Sequence, residues 1–182
     1  LVILAGRSGT GKSGLVRLYG EALGAYSVQV AFLPVRPSWM DDGDILGYLD
    51  RNRMLYFPSD TGLAELWWKH PAIRKDVYRM FDEMNLARAE YYFAQFISVL
   101  EKKENPALQL YNPSLEGGNN HSDYPARIPL LDNVLFMGTV NVDESTYHFS
   151  DKILDRANVI TLHQRKFSDM ARLTRRKWHR KW

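Results

Sequence analysis

Short apolar runs alternate with amphipathic and polar segments along this chain. Apolar runs of four to eight residues bounded by turn formers are typical of buried strands, whereas helices repeat apolar residues every three or four positions. Strands are therefore predicted at residues 1–5, 26–33, 77–83, 133–141 and 158–162, and helices at 13–23, 63–70, 86–102 and 149–155. The opening strand, helix and strand form a βαβ unit, which requires a parallel sheet covered by helices. The pattern predicts an α/β fold.

Two further segments have the pattern of β-hairpins. Residues 45–48 and 54–57 flank the polar stretch 50–53, which is typical of a hairpin turn. Residues 108–111 and 127–131 enclose many turn formers, which favours a second, protruding hairpin with a mobile tip. A plain surface loop is the alternative for this second segment. Arg79 interrupts the otherwise apolar run at 77–83, where a central parallel strand should be buried throughout.

Composition limits the class of protein. The chain has 182 residues, of which 45% are apolar, enough for a single domain with one core. No apolar run approaches the ~20 residues of a membrane span, and no signal-peptide pattern opens the chain. We therefore expect a cytoplasmic protein that does not contact membranes. The absence of cysteine excludes disulfides and thiolate metal sites.

Positive charge is concentrated at the end of the chain. Residues 163–182 hold eight Lys and Arg against one acidic residue, so the net charge of +3 divides into +7 here and −4 on the rest. The segment is predicted to be a basic amphipathic helix. Its apolar face contains Phe167, Met170, Ala171, Thr174, Trp178 and Trp182. This face would contact nucleic acid or protein, or the segment would be the first helix of a neighbouring helical bundle. The second interpretation is preferred.

The most specific motif follows the first strand. Residues 6–13 read Gly-Arg-Ser-Gly-Thr-Gly-Lys-Ser and match the phosphate-binding pattern G-x-x-x-x-G-K-[ST]. A strand, a glycine-rich turn and a helix N-terminus direct several N–H groups at one anion. In this pattern Lys12 reaches the β- and γ-phosphates, and the Ser13 hydroxyl ligates Mg²⁺. The predicted nucleotide-binding residues are Gly6, Ser8, Gly9, Thr10, Gly11, Lys12, Ser13 and Gly14.

Polar side chains also end two of the predicted strands. Asp82 and Glu83 close the strand at 77–83, and parallel strands present their carboxyl ends at the edge that carries the phosphate loop. Asp82 can hold the Mg²⁺ shell while Glu83 polarises the attacking water; the alternative is that both merely begin the next helix. Asn141 ends the strand at 133–141 and can orient water or the γ-phosphate, although such a residue is more often a turn or cap.

These motifs, in this order, resemble the AAA+ ATPases, and four strings are most similar to the McrB-like and MoxR-like side of that superfamily. The strings are Arg-Pro-Ser-Trp at 36–39 with Asp-Ile-Leu-Gly-Tyr at 44–48, Phe-Asp-Glu-Met-Asn-Leu-Ala-Arg at 81–88, Gly-Thr-Val-Asn-Val-Asp-Glu at 138–144, and Leu-Asp-Arg-Ala-Asn at 154–158. The resemblance implies a P-loop NTPase sandwich of three layers with a five-stranded parallel sheet of order 5-1-4-3-2. It also implies a homo-oligomeric ring, commonly hexameric, with nucleotide held between subunits.

The same resemblance assigns roles to single residues. Asn141 matches the sensor 1 position, Arg156 matches an arginine finger supplied to the neighbouring subunit, and Asp143 matches an acidic position after sensor 1. The two predicted hairpins match β-hairpin inserts of related proteins. Residues 1–162 would be the AAA+ core, and residues 163–182 would begin a helical lid that is largely missing from this sequence.

The expected activity is Mg²⁺-dependent hydrolysis of ATP, with GTP as the alternative nucleotide. By analogy, it would drive a nuclease or a DNA-translocating partner in restriction of foreign DNA, so that contact with DNA is indirect. Two other classes stay open: a nucleotide-binding oligomerisation module that does not hydrolyse, and a P-loop kinase for small molecules. The Asp82–Glu83 pair together with Asn141 favours water over a substrate hydroxyl as the acceptor.

Overall fold

A five-stranded, all-parallel sheet forms the centre of the computed structural model, which describes residues 1–22, 29–69, 77–102, 104–115, 117, 120–143 and 146–164. The sheet strands are β1 (Val2–Gly6), β2 (Val30–Pro34), β5 (Val77–Asp82), β8 (Val134–Asn141) and β9 (Asn158–Leu162). Their order across the sheet is β2-β5-β8-β1-β9. The prediction of an α/β fold built on a parallel sheet is therefore confirmed.

Helices and two small hairpins surround this sheet. The α-helices are α1 (Lys12–Ala22), α2 (Gly43–Leu46), α3 (Leu63–Lys69), α4 (Ala89–Tyr92), α5 (Ala94–Leu100) and α6 (Asp151–Leu154). Short 3₁₀ turns lie at Met84–Leu86 and Pro113–Leu115. The hairpin strands are β3 (Gly47–Asp50) with β4 (Leu55–Pro58), and β6 (Ala107–Gln109) with β7 (Arg127–Pro129). Within the described residues, no helix combines the length and the apolarity needed to cross a membrane.

Apolar side chains cover both faces of the sheet, because successive strand residues point to opposite sides. On one face, Leu4 and Met80 pack with Val16 of α1. On the other face, Phe81 packs against the rings of Phe93 and Phe96 at 5.0 and 6.1 Å between centroids. The central strands β1, β5 and β8 are thus largely buried between two layers, which explains their largely apolar sequences, whereas the edge strand β9 is mostly exposed.

Arg79 does not interrupt β5, contrary to the expectation from its charge. The strand runs through it, and only 2% of the residue is exposed. Its guanidinium donates hydrogen bonds to the main-chain oxygens of Gln29 and Tyr78. Burial lowers the pKa of Arg79 to about 10, because a low-dielectric surrounding disfavours the charged form.

The predicted helix at 86–102 is wrong in its start and its continuity. The segment begins as a 3₁₀ turn and continues as α4 and α5, which are separated at Phe93 (φ −105°, ψ 8°). This break leaves the Phe93 ring fully buried against Phe81 and stacked on Phe96 at 4.8 Å. Apolar spacing predicts which residues are buried, but it does not reveal that one residue between two helical segments, here Phe93, is non-helical.

The second hairpin is present, but it does not protrude. Leu108 and Ile128 are 0% and 4% exposed and belong to the main core. Asn120, in the connection between β6 and β7, bonds both main-chain groups of Tyr56 on β4, at 2.9 and 2.7 Å. Tyr111 and Tyr124 pack on the Tyr56 ring at 5.8 and 5.1 Å between centroids. The two inserts therefore form one packed unit beside the sheet.

Candidate functional site

The predicted phosphate loop connects β1 to α1 at the carboxyl edge of the sheet. Gly9 and Gly11 have φ of 76° and 81°, a left-handed conformation that glycine adopts without steric cost. At Gly6 a Cβ atom would lie 2.8 Å from the Leu162 carbonyl oxygen, so a larger residue would disturb the contact between β1 and β9. These glycines allow the loop to turn directly into the N-terminus of an 11-residue helix. Unpaired N–H groups at such a terminus attract anions.

Lys12 lies at the centre of this loop and is 6% exposed. Its Nζ donates hydrogen bonds to the carbonyl oxygens of Gly6 (3.0 Å) and Arg7 (2.9 Å). The Gly6 oxygen also accepts the N–H of Val142, at 3.2 Å, which ties the loop to the end of β8. The ammonium group is thus held within the loop that the sequence predicts to bind phosphate.

Ser13 and Asp82 meet at the same edge, as the sequence predicts. The Ser13 hydroxyl donates to Asp82 Oδ1 at 2.7 Å, across 69 residues of sequence. One hydroxyl and one carboxylate are hard oxygen donors, and Mg²⁺ characteristically uses one or two such groups together with phosphate oxygens and water. Within the described parts of the chain, no three or more acidic, histidine or cysteine side chains are grouped so that they could hold a metal ion. The Ser13 and Asp82 oxygens fit Mg²⁺ bound together with a nucleotide.

Glu83 follows β5 in an unusual backbone conformation. Its φ of 54° and ψ of 51° lie in the left-handed region, which costs a residue with a side chain about 1–2 kcal/mol. The carboxylate accepts a hydrogen bond from Asn141 Nδ2 at 3.1 Å, and Asn141 is 4% exposed. Strained backbone of this kind concentrates at functional sites, where surrounding contacts maintain it. The structure thus joins two residues that the sequence predicted separately.

Three further residues complete the hydrogen bonding of the site. Sequence reasoning did not single out the first two, Thr139 and Asn85, and the resemblance gave the third only an acidic position. The Thr139 hydroxyl bonds Asp82 at 2.6 Å and accepts the N–H of Glu83 at 2.8 Å. Asn85, 3% exposed, donates from Nδ2 to the Asn141 oxygen at 2.9 Å. Each lies within a predicted functional string, as a polar residue in an apolar strand or directly after the carboxylates. The signal for Thr139 and Asn85 was a polar residue inside a string already assigned to the site, but their burial and their partners are visible only in the folded sheet.

Asp143 is the third of these residues. It follows β8 and contacts the phosphate loop from an exposed position. Its two carboxylate oxygens accept the Ser8 N–H at 3.0 and 3.2 Å, and Arg7 Nε lies 3.5 Å away. The Ser8 hydrogen bond is the main reason that the pKa of Asp143 is lowered, because it favours the charged carboxylate. The resemblance marked this position as acidic without giving it a contact.

Arg156 is not brought to the site by its own chain. It precedes β9, whose first residue pairs with Val2, whereas the phosphate loop begins at Gly6 at the other end of the same strand pair. Its guanidinium bonds the Lys152 oxygen and Glu101, and it lines a groove of about 830 Å³ with α4, α5 and α6. Arg156 therefore lies at the opposite end of the β1–β9 pair from the phosphate loop of its own chain.

Comparison with models of known protein families gives no match, and comparison with curated proteins gives none either.

Proposed function

We propose that this protein is a Mg²⁺-dependent nucleoside triphosphatase that hydrolyses ATP, with GTP as the alternative substrate. The observation that carries the proposal is one connected set of hydrogen bonds at the carboxyl edge of the sheet. It runs from Ser13 to Asp82, through Thr139 to the main chain of Glu83, and from the Glu83 side chain to Asn141. A triphosphate held by the adjoining loop would present its terminal phosphate to these groups.

Each group has a definite task in this reaction. The amides of residues 9–13 and the Lys12 ammonium bind phosphate oxygens, and Ser13 and Asp82 would hold Mg²⁺, which neutralises charge on the phosphates. Glu83 accepts a proton from water as the water oxygen bonds to the γ-phosphorus. The bond from that phosphorus to the bridging oxygen breaks, giving the diphosphate and inorganic phosphate. Asn141 fixes the Glu83 carboxylate through its 3.1 Å hydrogen bond.

Strand order and the position of Arg156 support a more specific proposal, an AAA+ module of the McrB-like type. Counted in chain order from the β9 edge, the five sheet strands read 5-1-4-3-2, the order that the resemblance implies. Arg156 lies at the opposite end of the sheet from its own phosphate loop, so it would act on nucleotide bound by a neighbouring copy. Both features favour a homo-oligomeric ring, and the resemblance to AAA+ ATPases implies that this ring is hexameric.

The biological role of this ring is proposed by analogy with McrB-like proteins and depends on the assignment to that type. Nucleotide hydrolysis would drive a nuclease or DNA-translocating partner in defence against foreign DNA, in the cytoplasm, with DNA contacted through that partner. The basic segment at 163–182 is proposed to begin the lid; residues 165–182 lie outside the described part of the chain.

Phosphate release measured with Mg²⁺ and either ATP or GTP, over a series of protein concentrations, tests the proposal. Specific activity should rise with concentration as shared sites assemble, and Glu83→Gln should abolish turnover while nucleotide still binds. Arg156→Ala should lower the rate by about 10³-fold or more, as removal of an arginine finger does. Arg53→Ala changes an exposed arginine in the β3–β4 turn and is the matched control.

Equal phosphate release by the wild type and Glu83→Gln would refute the assigned base. Activity per subunit that does not depend on concentration would refute the intersubunit role of Arg156. Nucleotide binding without any turnover across the whole series would favour the non-hydrolysing module instead.

A further inference from the structure

Thr139 occupies the position on β8 that links both carboxylate residues of the proposed site. Its residue surface is 1% exposed, and its hydroxyl donates to Asp82 Oδ1 at 2.6 Å. The same oxygen accepts the main-chain N–H of Glu83 at 2.8 Å. A hydroxyl has one donor and two acceptor positions, so one side chain meets both requirements at once.

The first of these bonds restricts the orientation of the Asp82 carboxylate. Asp82 Oδ1 accepts hydroxyl donors from two directions, Ser13 at 2.7 Å and Thr139 at 2.6 Å. Charge-assisted O–H···O⁻ bonds of this length are about twice as strong as neutral ones. If Ser13 turns its oxygen toward a cation, the Thr139 bond still holds the carboxylate in place.

The second bond acts on the direction of the Glu83 side chain. Glu83 adopts the left-handed backbone conformation, which its side chain disfavours, and its N–H is fixed by Thr139. A residue held in that conformation projects its side chain differently from a residue that continues the strand. The observed direction allows the 3.1 Å bond between Glu83 and Asn141.

We propose that Thr139 is a positioning residue that sets the Asp82 carboxylate for Mg²⁺ and the Glu83 carboxylate for water. The inference rests on the proposed nucleotide hydrolysis and extends it to a buried residue that contacts both carboxylate residues. Outer groups that orient metal-binding side chains typically change metal affinity or activity by about 10–100-fold when removed.

Two substitutions separate the hydroxyl from the shape of the side chain. Thr139→Val keeps the branched shape and removes both hydrogen bonds, whereas Thr139→Ser keeps the hydroxyl. Thr161→Val makes the same change at an exposed position of β9 and is the control. Thermal midpoints measured without nucleotide show whether each variant is folded.

The primary measurement is the affinity for a fluorescent ATP analogue, titrated with and without Mg²⁺. We expect Thr139→Val to bind the analogue normally without Mg²⁺ and to need about 10–100-fold more Mg²⁺ for half of the Mg²⁺-dependent gain. Its kcat should fall by a similar factor with a smaller change in KM, because the water-activating group is displaced. Thr139→Ser should return both quantities to within a few-fold of the wild type.

The outcomes distinguish this inference from the function on which it rests. A wild type that hydrolyses nucleotide while Thr139→Val and Thr139→Ser match it in Mg²⁺ requirement and kcat would overturn the positioning role alone. A lower thermal midpoint for Thr139→Val with an unchanged Mg²⁺ requirement would assign the residue to folding, and would also overturn it. A wild type without Mg²⁺-dependent nucleotide binding would overturn both proposals.

Discussion

Replacing Asn120 with alanine should separate the two inserts and destabilise the whole chain. The side chain of Asn120 accepts the Tyr56 N–H at 2.9 Å and donates to the Tyr56 oxygen at 2.7 Å. The Asn120 side chain thereby bonds the main chain of β4 as a neighbouring strand would, on the side of β4 that faces away from β3. Tyr56 itself is 1% exposed, so water has little access to the groups that Asn120 would leave.

The size of the effect follows from those two bonds. A net contribution of about 0.5–1.5 kcal/mol for each bond gives about 1–3 kcal/mol, and incomplete solvation of the released Tyr56 groups adds to it. We therefore expect a loss of about 2–4 kcal/mol in the free energy of unfolding. For a chain of this length, where 1 kcal/mol shifts the midpoint by about 2–4 °C, that corresponds to a fall of about 4–16 °C in the thermal midpoint.

Thermal and urea unfolding followed by circular dichroism measure this loss. Asn112→Ala is the matched control, because Asn112 lies in the same insert and its side-chain oxygen accepts hydrogen bonds from Ser114, two residues away, at 3.0 and 2.9 Å. The control should cost about 1 kcal/mol or less, as exposed local turn bonds do. An Asn120→Ala midpoint that falls no further than that of Asn112→Ala would show that the inserts are not energetically joined, whatever their contacts.

Two further predictions concern the edge of the site. Gly138→Ala would place a Cβ atom 2.7 Å from Met84 Sδ, so we expect a loss of about 1–3 kcal/mol, and a double-mutant cycle with Met84→Ala should show non-additive unfolding free energies. Asp143→Asn removes a carboxylate whose pKa the Ser8 N–H lowers, so the stabilisation is present above the unfolded pKa of 3.8 and is lost as pH falls through the lower folded value. Thermal midpoints of the wild type and Asp143→Asn should therefore differ at neutral pH and converge in acid, and a constant difference would contradict the assignment.

Strands were predictable because short apolar runs between turn formers leave a strong local signal, even at the mostly exposed edge strand β9. The sequence predicted strands at 133–141 and 158–162, and the structure has Val134–Asn141 and Asn158–Leu162. The hairpin contacts were not predictable, because they depend on Asn120 and Tyr56, which are 64 residues apart. An asparagine among turn formers has the same local pattern whether it faces solvent or another strand.

The edge of the sheet that carries the candidate site was predictable only in part, because its residues lie on separate strands whose register the sequence does not fix. Phe81 pairs with Gly138 in the structure, which places Asp82 beside Thr139. A shift of one residue would present Gly138 or Val140 to Asp82 instead, and every side chain of β8 would change faces. The motifs identify Asp82, Glu83 and Asn141 from their own strings, since each lies at or directly after the end of a strand. Thr139 is identified only by the pairing of β5 with β8, so its proposed role depends on the register of these two strands. Substitutions at Thr139 that preserve this register, such as Thr139→Val and Thr139→Ser, therefore test the role.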